Sequence, residues 1–595
     1  MSVTRRWISA ERVEAPRALV RELGLSPLVA RLLCMRGVDT VEQARDYLEA
    51  PLINMHDPEL LPAMEAAGER LCAAARAGEL ILLFGDYDVD GITGCAILAR
   101  VLKALGATVE VYIPNRFRDG YGLNVASLER LREADGVDPR VVVTIDNGIV
   151  AFEAAKHLAG RGVDLIILDH HTMEPGPPPR AHAVVHPKLD DSRYPNRELC
   201  GAGVAFKAAW ATARRFHGGG RVPPALRALL LESMALVAMG TIADVMPLAG
   251  ENRTLVKRGL EALASKPSIG LGALIAVAGV RGEPAARDVS YRLAPHINAA
   301  GRLGEGRRAF DLLLIEDPDR ARELAEELAR ENDARREIEV ELSEQACAQV
   351  LEVYGEEPPV AGLVVAAEGW HEGVVGIVAS RLVERFDRPA LVLAVLDGGE
   401  RAKGSGRSAH RVDLKGALDD CRELLDGYGG HAAAVGLSLA SESLGALRVA
   451  FARACARQLG LPEEGEVELP APELKIDAEV ELSEVDDLLV AQLARLEPHG
   501  MGNRRPLFAA RAELAGAPRV MGAQGQHLSF MVREGRRRLR AVMWGGGEHF
   551  DALRARIEAP VVARRPLRFA FRPKYNDFRG RRSIELQVED IDLSS

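Results

Sequence analysis

A chain of 595 residues has the length of roughly four ordinary domains, which excludes a peptide or a mini-protein that depends on covalent staples. Its 47% hydrophobic and 27% charged residues are the proportions of a globular protein and exclude bulk disorder. The net charge of −10 excludes a uniformly basic nucleic-acid binder while leaving room for a local basic surface.

The seven cysteines are scattered, with no C-x-x-C pair and no clustering with histidine. That spacing disfavours a structural zinc site or a disulfide framework and fits a reducing compartment. The N-terminal segment has no apolar core, so it does not read as a secretory signal. No uncharged apolar run reaches the length of about 18 residues needed to span a bilayer. The expectation is a cytoplasmic protein without a membrane segment.

In chain order, residues 1–78 read as short helices joined by turns, expected to pack on the domain that follows. From residue 79, apolar runs of strand length alternate with amphipathic stretches: ELILLFG, ITGCAILARVLKALG, ATVEVYIP, SLERLREA, PRVVVTID, VAFEAAKHLAG and VDLIILDHH. This alternation is the signature of a parallel α/β sheet covered on both faces, and it predicts one domain over 79–317. Residues 318–353 keep helical spacing without an internal Gly or Pro, which predicts a connector helix on the order of 50 Å long. GLVVAAEG and PALVLAVL flank a helical VVGIVASRLVERF and predict a second, smaller α/β domain over 354–461. The span 462–595 begins Pro- and Glu-rich, then breaks into short alternating runs such as HLSFMVRE and SIELQVEDIDL, which predict a small β-barrel.

Residues 531–585 carry 15 Lys/Arg against 6 Asp/Glu, a local +9, with Trp544, Phe569, Phe571, Tyr575 and Phe578 interleaved. Cations suit phosphates and rings suit unstacked bases. The barrel therefore reads either as a single-strand platform or as an aromatic core behind a solvated arginine face.

The chemistry concentrates at strand ends. Asp86-Tyr87-Asp88-Val89-Asp90-Gly91 follows the first strand of 79–317, and in extended chain its three carboxylates project to one side. Such packing of negative charge is costly unless a cation neutralises it. VVVTI ends in Asp146-Asn147-Gly148, and VDLIIL ends in Asp169-His170-His171. Ligand sites of open parallel sheets lie beyond the carboxyl ends of the strands, so these segments are expected to converge. Asp244, in MGTIADVMPL, is a fourth contributor. Carboxylates with one or two imidazoles suit Mn²⁺ or Mg²⁺. Their number is enough for two ions sharing a bridging ligand, an arrangement that activates water and clamps a phosphoryl group. An EF-hand does not fit, because position 97 is Ile where the calcium loop needs Glu. No Walker sequence is present, and Gly201-Ala202-Gly203 lacks the third glycine of a dinucleotide fingerprint.

With these residues in view, the chain resembles the DHH phosphoesterase superfamily and, within it, the bacterial single-strand exonucleases of the RecJ family. The resemblance rests on an ordered set of motifs: DYDVDGITG (86–94), NRFRDGYGLN (115–124), TIDNG (144–148), DHH (169–171), CGAGVAFK (200–207), GTIADVMPL (240–248) and PHINAAGRL (295–303). It continues through WHEGVVGIVASRL (370–382), KGSGRS (403–408), GGHAAAVG (429–436) and PHGMGNRRPLF (498–508). The implied architecture is a parallel-sheet DHH domain, a long connector helix, a smaller α/β DHHA1 domain and a C-terminal OB-type β-barrel.

The implied metal ligands are Asp88, Asp90, Asp146, His170 and Asp244, with Asp86 as a further acidic candidate. Related phosphatases carry a histidine four residues before the first ligand aspartate, where Phe84 stands here. One ion is then expected to be less completely coordinated or to use Asp86. The implied catalytic residues are Asp146, His171 at the reacting phosphate and Arg302 as a phosphate clamp. Arg116, Asn298, Arg302, Ser405, Arg407 and His431 are the implied substrate contacts, near a helix start at 373–376 whose amides favour an anion. The implied activity is 5′→3′ hydrolysis of single-stranded DNA with two Mn²⁺ or Mg²⁺ ions, releasing 5′-mononucleotides in recombination and repair. Single-strand-binding protein and a RecQ-type helicase are the implied partners. The alternatives are a DHH-family oligoribonuclease or cyclic-dinucleotide phosphodiesterase, and a non-catalytic single-strand-binding replication scaffold.

Overall fold

The computed structural model describes all residues except 1–4, 12, 174–175, 464, 466, 559–564, 579 and 594–595, and the Phe578 side chain also lies outside the description. Strand β1 (Arg6–Ser9) opens the chain and finds its partner only at Glu473–Ile476. The DHH sheet is built from β2 (Leu80–Phe84), β3 (Thr108–Tyr112), β4 (Val141–Ile145), β5 (Asp164–Leu168) and β6 (Ala183–Val185). All pairs are parallel, in the order β3-β2-β4-β5-β6. The order reverses between β2 and β4, so the crevice at their carboxyl ends is the switch point where such sheets hold ligands.

The period of two sorts each strand between two cores. Ile81, Leu83, Val141, Val143 and Ile145 face one, with helices Met64–Ala77, Val89–Ala104, Gly201–Phe216 and Pro224–Ala243. Leu82, Phe84 and Val142 face the other, under helices Val125–Asp135 and Phe152–Gly160. Burying each such side chain contributes about 1.5–3 kcal/mol, so strand register is strongly specified. Helix Pro224–Ala243 has the length and mean hydropathy (1.6) of a membrane span, but 67% of its apolar window is buried in this core.

Helix Pro318–Tyr354 runs 37 residues from an Asp317 cap whose carboxylate accepts the amides of Asp319 and Arg320. Ala321, Leu324, Ala325 and Leu328 belong to the DHH core. Leu342, Ala346, Cys347 and Val350 belong to the core of the next domain. The helix therefore ties two cores together. The DHHA1 sheet comprises β7 (Leu363–Glu368), β8 (Ala390–Leu396), β9 (Arg401–Arg407), β10 (Gly427–His431) and β11 (Ala434–Ala440), ordered β10-β11-β9-β8-β7. Only β7 and β8 pair in parallel; the rest of the sheet is antiparallel.

Beyond it lie β12 (Glu473–Ile476), which pairs with β1, and β13 (Ala478–Glu479). The barrel proper is β14 (Phe508–Leu514), β15 (Arg519–Met521), β16 (His527–Glu534), β17 (Arg537–Met543), β18 (Leu567–Phe578) and β19 (Arg581–Asp592). Pairing of β14 with both β18 and β16 closes the ring β14-β18-β19-β17-β16. Five strands in a closed ring are the strand count of an OB-fold.

The N-terminal region packs on two bodies. Its second half, through Leu61, Met64, Ala67 and Leu71, packs on the DHH domain, whose Arg253, Lys257 and Arg258 also donate to the carbonyls of Tyr47, Leu48, Glu49 and Ala50. Leu19, Leu25, Val29, Leu32, Leu33 and Leu48 instead share one core with Phe508, Phe530, Phe569 and Phe571 of the barrel. The physical reason is the apolar face of helix Pro27–Cys34, where Val29, Ala30, Leu32, Leu33 and Cys34 are all buried. That face covers barrel surface that would otherwise meet water.

Candidate metal centre

The acidic segments converge at the β2/β4 switch point. The ligand atoms of Asp86, Asp88 and Asp146 lie within 4.8 Å of one another, as do those of Asp90, His170 and Asp244, and those of Asp146, His170 and His171. Asp146 belongs to two of these groups, and its Oδ1 stands 3.0 Å from His170 Nε2. His170 Nε2 is also 3.7 Å from Asp90 Oδ2 and 3.6 Å from Asp244 Oδ2.

The D-x-D-x-D segment reaches this arrangement differently from an extended strand. A helix begins at Val89, so Asp88 is its N-cap and accepts the amides of Asp90 (2.9 Å) and Gly91 (3.1 Å). Asp90 then lies in the first helical turn, where its carboxylate meets a second helix start. There Gly201 N donates to its Oδ2 at 2.6 Å and Ala202 N to its Oδ1 at 2.9 Å. A helix N-terminus is suited to an anion, which gives the CGAGVAFK motif a structural purpose. Gly201 has no room for a side chain, because a Cβ would sit 2.6 Å from the Asp146 Cβ. A Cβ on Gly240 would likewise overlap Asp90 Oδ1. Asp146 itself adopts φ +64°, a conformation uncommon outside glycine.

Electrostatics mark the same residues. Burial first, then repulsion from neighbouring carboxylates, holds Asp86 and Asp146 well above the ordinary carboxylate range and Asp244 at about 8. Burial lowers His170 to about 4, so its imidazole is neutral and free to ligate. Among the described residues no Lys or Arg forms an ion pair with these five aspartates. His170 Nδ1 and Asp244 Oδ2 are buried without hydrogen-bond partners. An oxygen-rich donor set with one neutral imidazole and an orphaned carboxylate oxygen on Asp244 fits Mn²⁺ or Mg²⁺. Phe84 is fully buried against Tyr112 and cannot ligate, whereas Asp86 stands among the candidate ligands.

Asp169 plays a part that the sequence did not reveal. Its Oδ1 accepts the His170 amide at 2.7 Å and bonds His171 Nδ1 at 2.7 Å, and its Oδ2 accepts the Ile149 amide at 2.9 Å. Against the cost of burial, these bonds hold Asp169 well below its usual range. Despite its own burial, His171 is raised to about 9 by the Asp169 bond and charge. His171 is therefore a cation at neutral pH, with Nε2 3.4 Å from the Tyr121 hydroxyl. Lys188 is a further cation whose field lowers Asp244 and His170. A lone loop lysine left no signal in the sequence.

The expected substrate residues divide. Arg302 ends helix Ala294–Leu303, and its Nη1 donates to Gly373 O at 2.9 Å, across the DHH–DHHA1 boundary. Burial, then Arg116 and Arg407, lowers it to about 10, and among the described residues it has no carboxylate partner. Arg116 lies over the Tyr87 ring, 5.5 Å from its centroid. Ser405 and Arg407 on β9 face the start of helix Val375–Phe386, where Gly376 leaves space beside both. His431 ends β10, and partial burial with the charges of His171 and Lys188 keeps its imidazole below its usual pKa. Asn298 differs: its Oδ1 accepts the Val89 amide at 3.2 Å, so it secures the metal-site helix.

In the barrel, Phe569 and Phe571 are fully buried core residues. Trp544 is exposed, and Arg582 stacks on Tyr575 at 3.6 Å. Arg568 and Arg572 pair with Glu479 and Glu589, outside the 531–585 window, which offsets part of the local +9, whereas Arg540 and Lys574 share Glu585, an acid already counted in that sum.

Three family models match the chain: the DHH family, N-terminal domain over residues 80–241, the DHHA1 domain over 359–457 and the RecJ OB domain over 476–590. The single-stranded-DNA-specific exonuclease RecJ of Bacillus subtilis (strain 168) is 35% identical over 592 residues, covering 99% of this chain and 71% of that protein. A crystal structure of RecJ from Thermus thermophilus in complex with Mn²⁺ matches with a TM-score of 0.80 at 31% identity, over 99% of this chain and 79% of that one. The same organism's RecJ in complex with Mg²⁺ matches at 0.73 and 29%, over 98% and 78%. The DHH–DHHA1–barrel order, the acidic switch point and these similarities together establish that the chain belongs to the RecJ family of DHH phosphoesterases.

Proposed function

We propose that this chain is a divalent-metal-dependent exonuclease specific for single-stranded DNA, acting 5′→3′ and releasing 5′-mononucleotides. The observation that carries the reading is the convergence of five aspartates and His170 at one switch point, with no Lys or Arg ion-paired to them among the described residues. Asp86, Asp88 and Asp146 would hold one ion, and Asp90, His170 and Asp244 the other, with Asp146 between them. Two such ions supply an activated water and neutralise charge on a phosphoryl group. His171, kept protonated by Asp169, offers its Nε2 proton to an oxygen of the scissile phosphate. Arg302, with Arg116 and Arg407, would grip the 5′-phosphate and adjoining backbone, assisted by Ser405 and His431. Guanidinium groups without carboxylate partners suit that task. Anchoring the 5′ end fixes which phosphodiester meets the ions, and the barrel, with Trp544 and Tyr575, would hold the trailing strand.

The cellular role we assign is recombination and repair in the cytoplasm, beside single-strand-binding protein and a RecQ-type helicase. Digestion of 5′- and 3′-labelled single strands with Mn²⁺, Mg²⁺ or chelator tests the reading. Label from the 5′ end should appear at once as mononucleotide, and only with metal. Cleavage restricted to di- to pentanucleotides, or label released first from the 3′ end, would overturn it.

A further inference from the structure

The motif PHGMGNRRPLF enters the barrel core only at its last residue, Phe508, while the loop before it lies outside the barrel strands. Its loop reaches across to the segment that follows Asp244. Leu248 N donates to Met501 O at 2.7 Å. A Cβ on Gly500 would meet Leu248 Cδ1 at 2.7 Å, and Gly502, at φ +71°, lies against Pro247. The loop is itself held firmly. Asn503 is only 2% exposed, and its Nδ2 donates to Leu496 O (2.9 Å) and Pro498 O (2.7 Å) while its Oδ1 accepts Arg36 Nε (2.9 Å). Arg253, also buried, donates to Leu496 O and Glu497 O from the DHH side and stacks on Tyr47 at 3.8 Å.

The segment so clamped is a strained one. Val245, directly after Asp244, has φ +57°. A β-branched residue there is an outlier that persists only when its surroundings over-determine it. Upstream, the turn is fixed by Met246 N donating to Thr241 O at 3.0 Å. Downstream, it is fixed by the Met501 carbonyl and by Asn252 Nδ2 donating to Pro247 O at 3.2 Å.

We infer that the loop 496–503 positions Asp244 for its ion, with Asn503 and Arg36 as positioning residues. The barrel domain thus completes the metal centre as well as binding substrate. The inference rests on the reading of Asp244 as a ligand. The test is Mn²⁺ titration of the full-length, DNA-free protein, followed by the electron paramagnetic resonance of free Mn²⁺, with melting temperatures recorded in parallel. Asp244→Asn should abolish or strongly weaken one of two sites. Asn503→Ala should weaken one site by about tenfold, the usual scale for residues that orient ligands, and leave the other unchanged. Phe530→Ala, a barrel-core truncation remote from the loop in sequence, should lower the melting temperature while leaving both affinities intact. If Asn503→Ala does not fold, Arg36→Ala is read in the same way and should weaken the same site. Wild-type affinity in the loop variants, or equal weakening by Phe530→Ala, would overturn the inference. Two undiminished sites in Asp244→Asn would instead overturn the ligand assignment.

Discussion

At the scale of single residues, the site is a balance of charge that a cation must complete. Carboxyls whose folded pKa is raised contribute stability that is fully present below the unfolded value of about 3.9 and is lost as pH rises through the folded value. For Asp244 that folded value is about 8, and Asp86 and Asp146 shift in the same direction. His171, raised to about 9, adds a loss in the same sense. The metal-free protein should therefore melt progressively lower between pH 6 and pH 8.5 in chelator. Added Mg²⁺ should raise the melting temperature more at pH 8.5 than at pH 6, as scanning calorimetry would record; an equal gain at both would refute proton–metal competition. Asp169→Asn should return His171 toward its ordinary pKa of about 6.5, visible by NMR of the imidazole, and should reduce cleavage by more than tenfold at pH 8. Most of the candidate ligands were legible because Asp and His stand directly after apolar strand runs; Asp244 instead follows an apolar helix. Asp169 and Asn298 were harder, since an orienting carboxylate or a backbone-satisfying amide has the composition of a ligand and is distinguished only by what it touches.

At the scale of elements, backbone does as much as side chain. The amides of Gly201 and Ala202 fix Asp90, and the bare Cα atoms of Gly201 and Gly240 let two helices close on the carboxylates. Gly201→Ala and Gly240→Ala should each lower cleavage by about 100-fold or more, comparable to losing a ligand-orienting contact, while circular dichroism stays native. Wild-type rates in both would show that the cage tolerates displacement. Strand identity and order were readable from apolar runs, because a parallel sheet buried on both faces leaves an unbroken hydrophobic signature. The helix start at Val89 was not, because D-x-D-x-D satisfies both an extended reading and an N-cap reading. The antiparallel pairing within DHHA1 was equally hidden, since strand direction is set by connections rather than by composition.

At the scale of the whole molecule, the chain's two ends form one body. β1 pairs with β12, and helices of residues 17–49 share the barrel's core. Sequence shows that such helices have an apolar face, but which partner it covers depends on contacts more than 400 residues apart, as between Ser26 and Gln492. Leu32→Ala, at a position with no exposure, should cost about 2–5 kcal/mol. Urea unfolding followed by Trp fluorescence should show that loss, and an unchanged midpoint would place the helix outside the core. Net charge misled in another way: the local +9 was correct as arithmetic, but ion pairs to acids outside that window, such as Arg568–Glu479 and Arg572–Glu589, offset part of it. The contacts proposed for a strand are the group of Arg116, Arg302 and Arg407 between DHH and DHHA1, without carboxylate partners among the described residues, and the exposed ring of Trp544.

The proposed chemistry requires that residues from separate elements at the switch point cage two divalent ions. Anomalous scattering from crystals grown with Mn²⁺ reads it directly. Two peaks are predicted, one among Asp86, Asp88 and Asp146 and one among Asp90, His170 and Asp244, and both should vanish in Asp146→Ala. Mn²⁺ located elsewhere in the molecule, or peaks that persist in that variant, would contradict it.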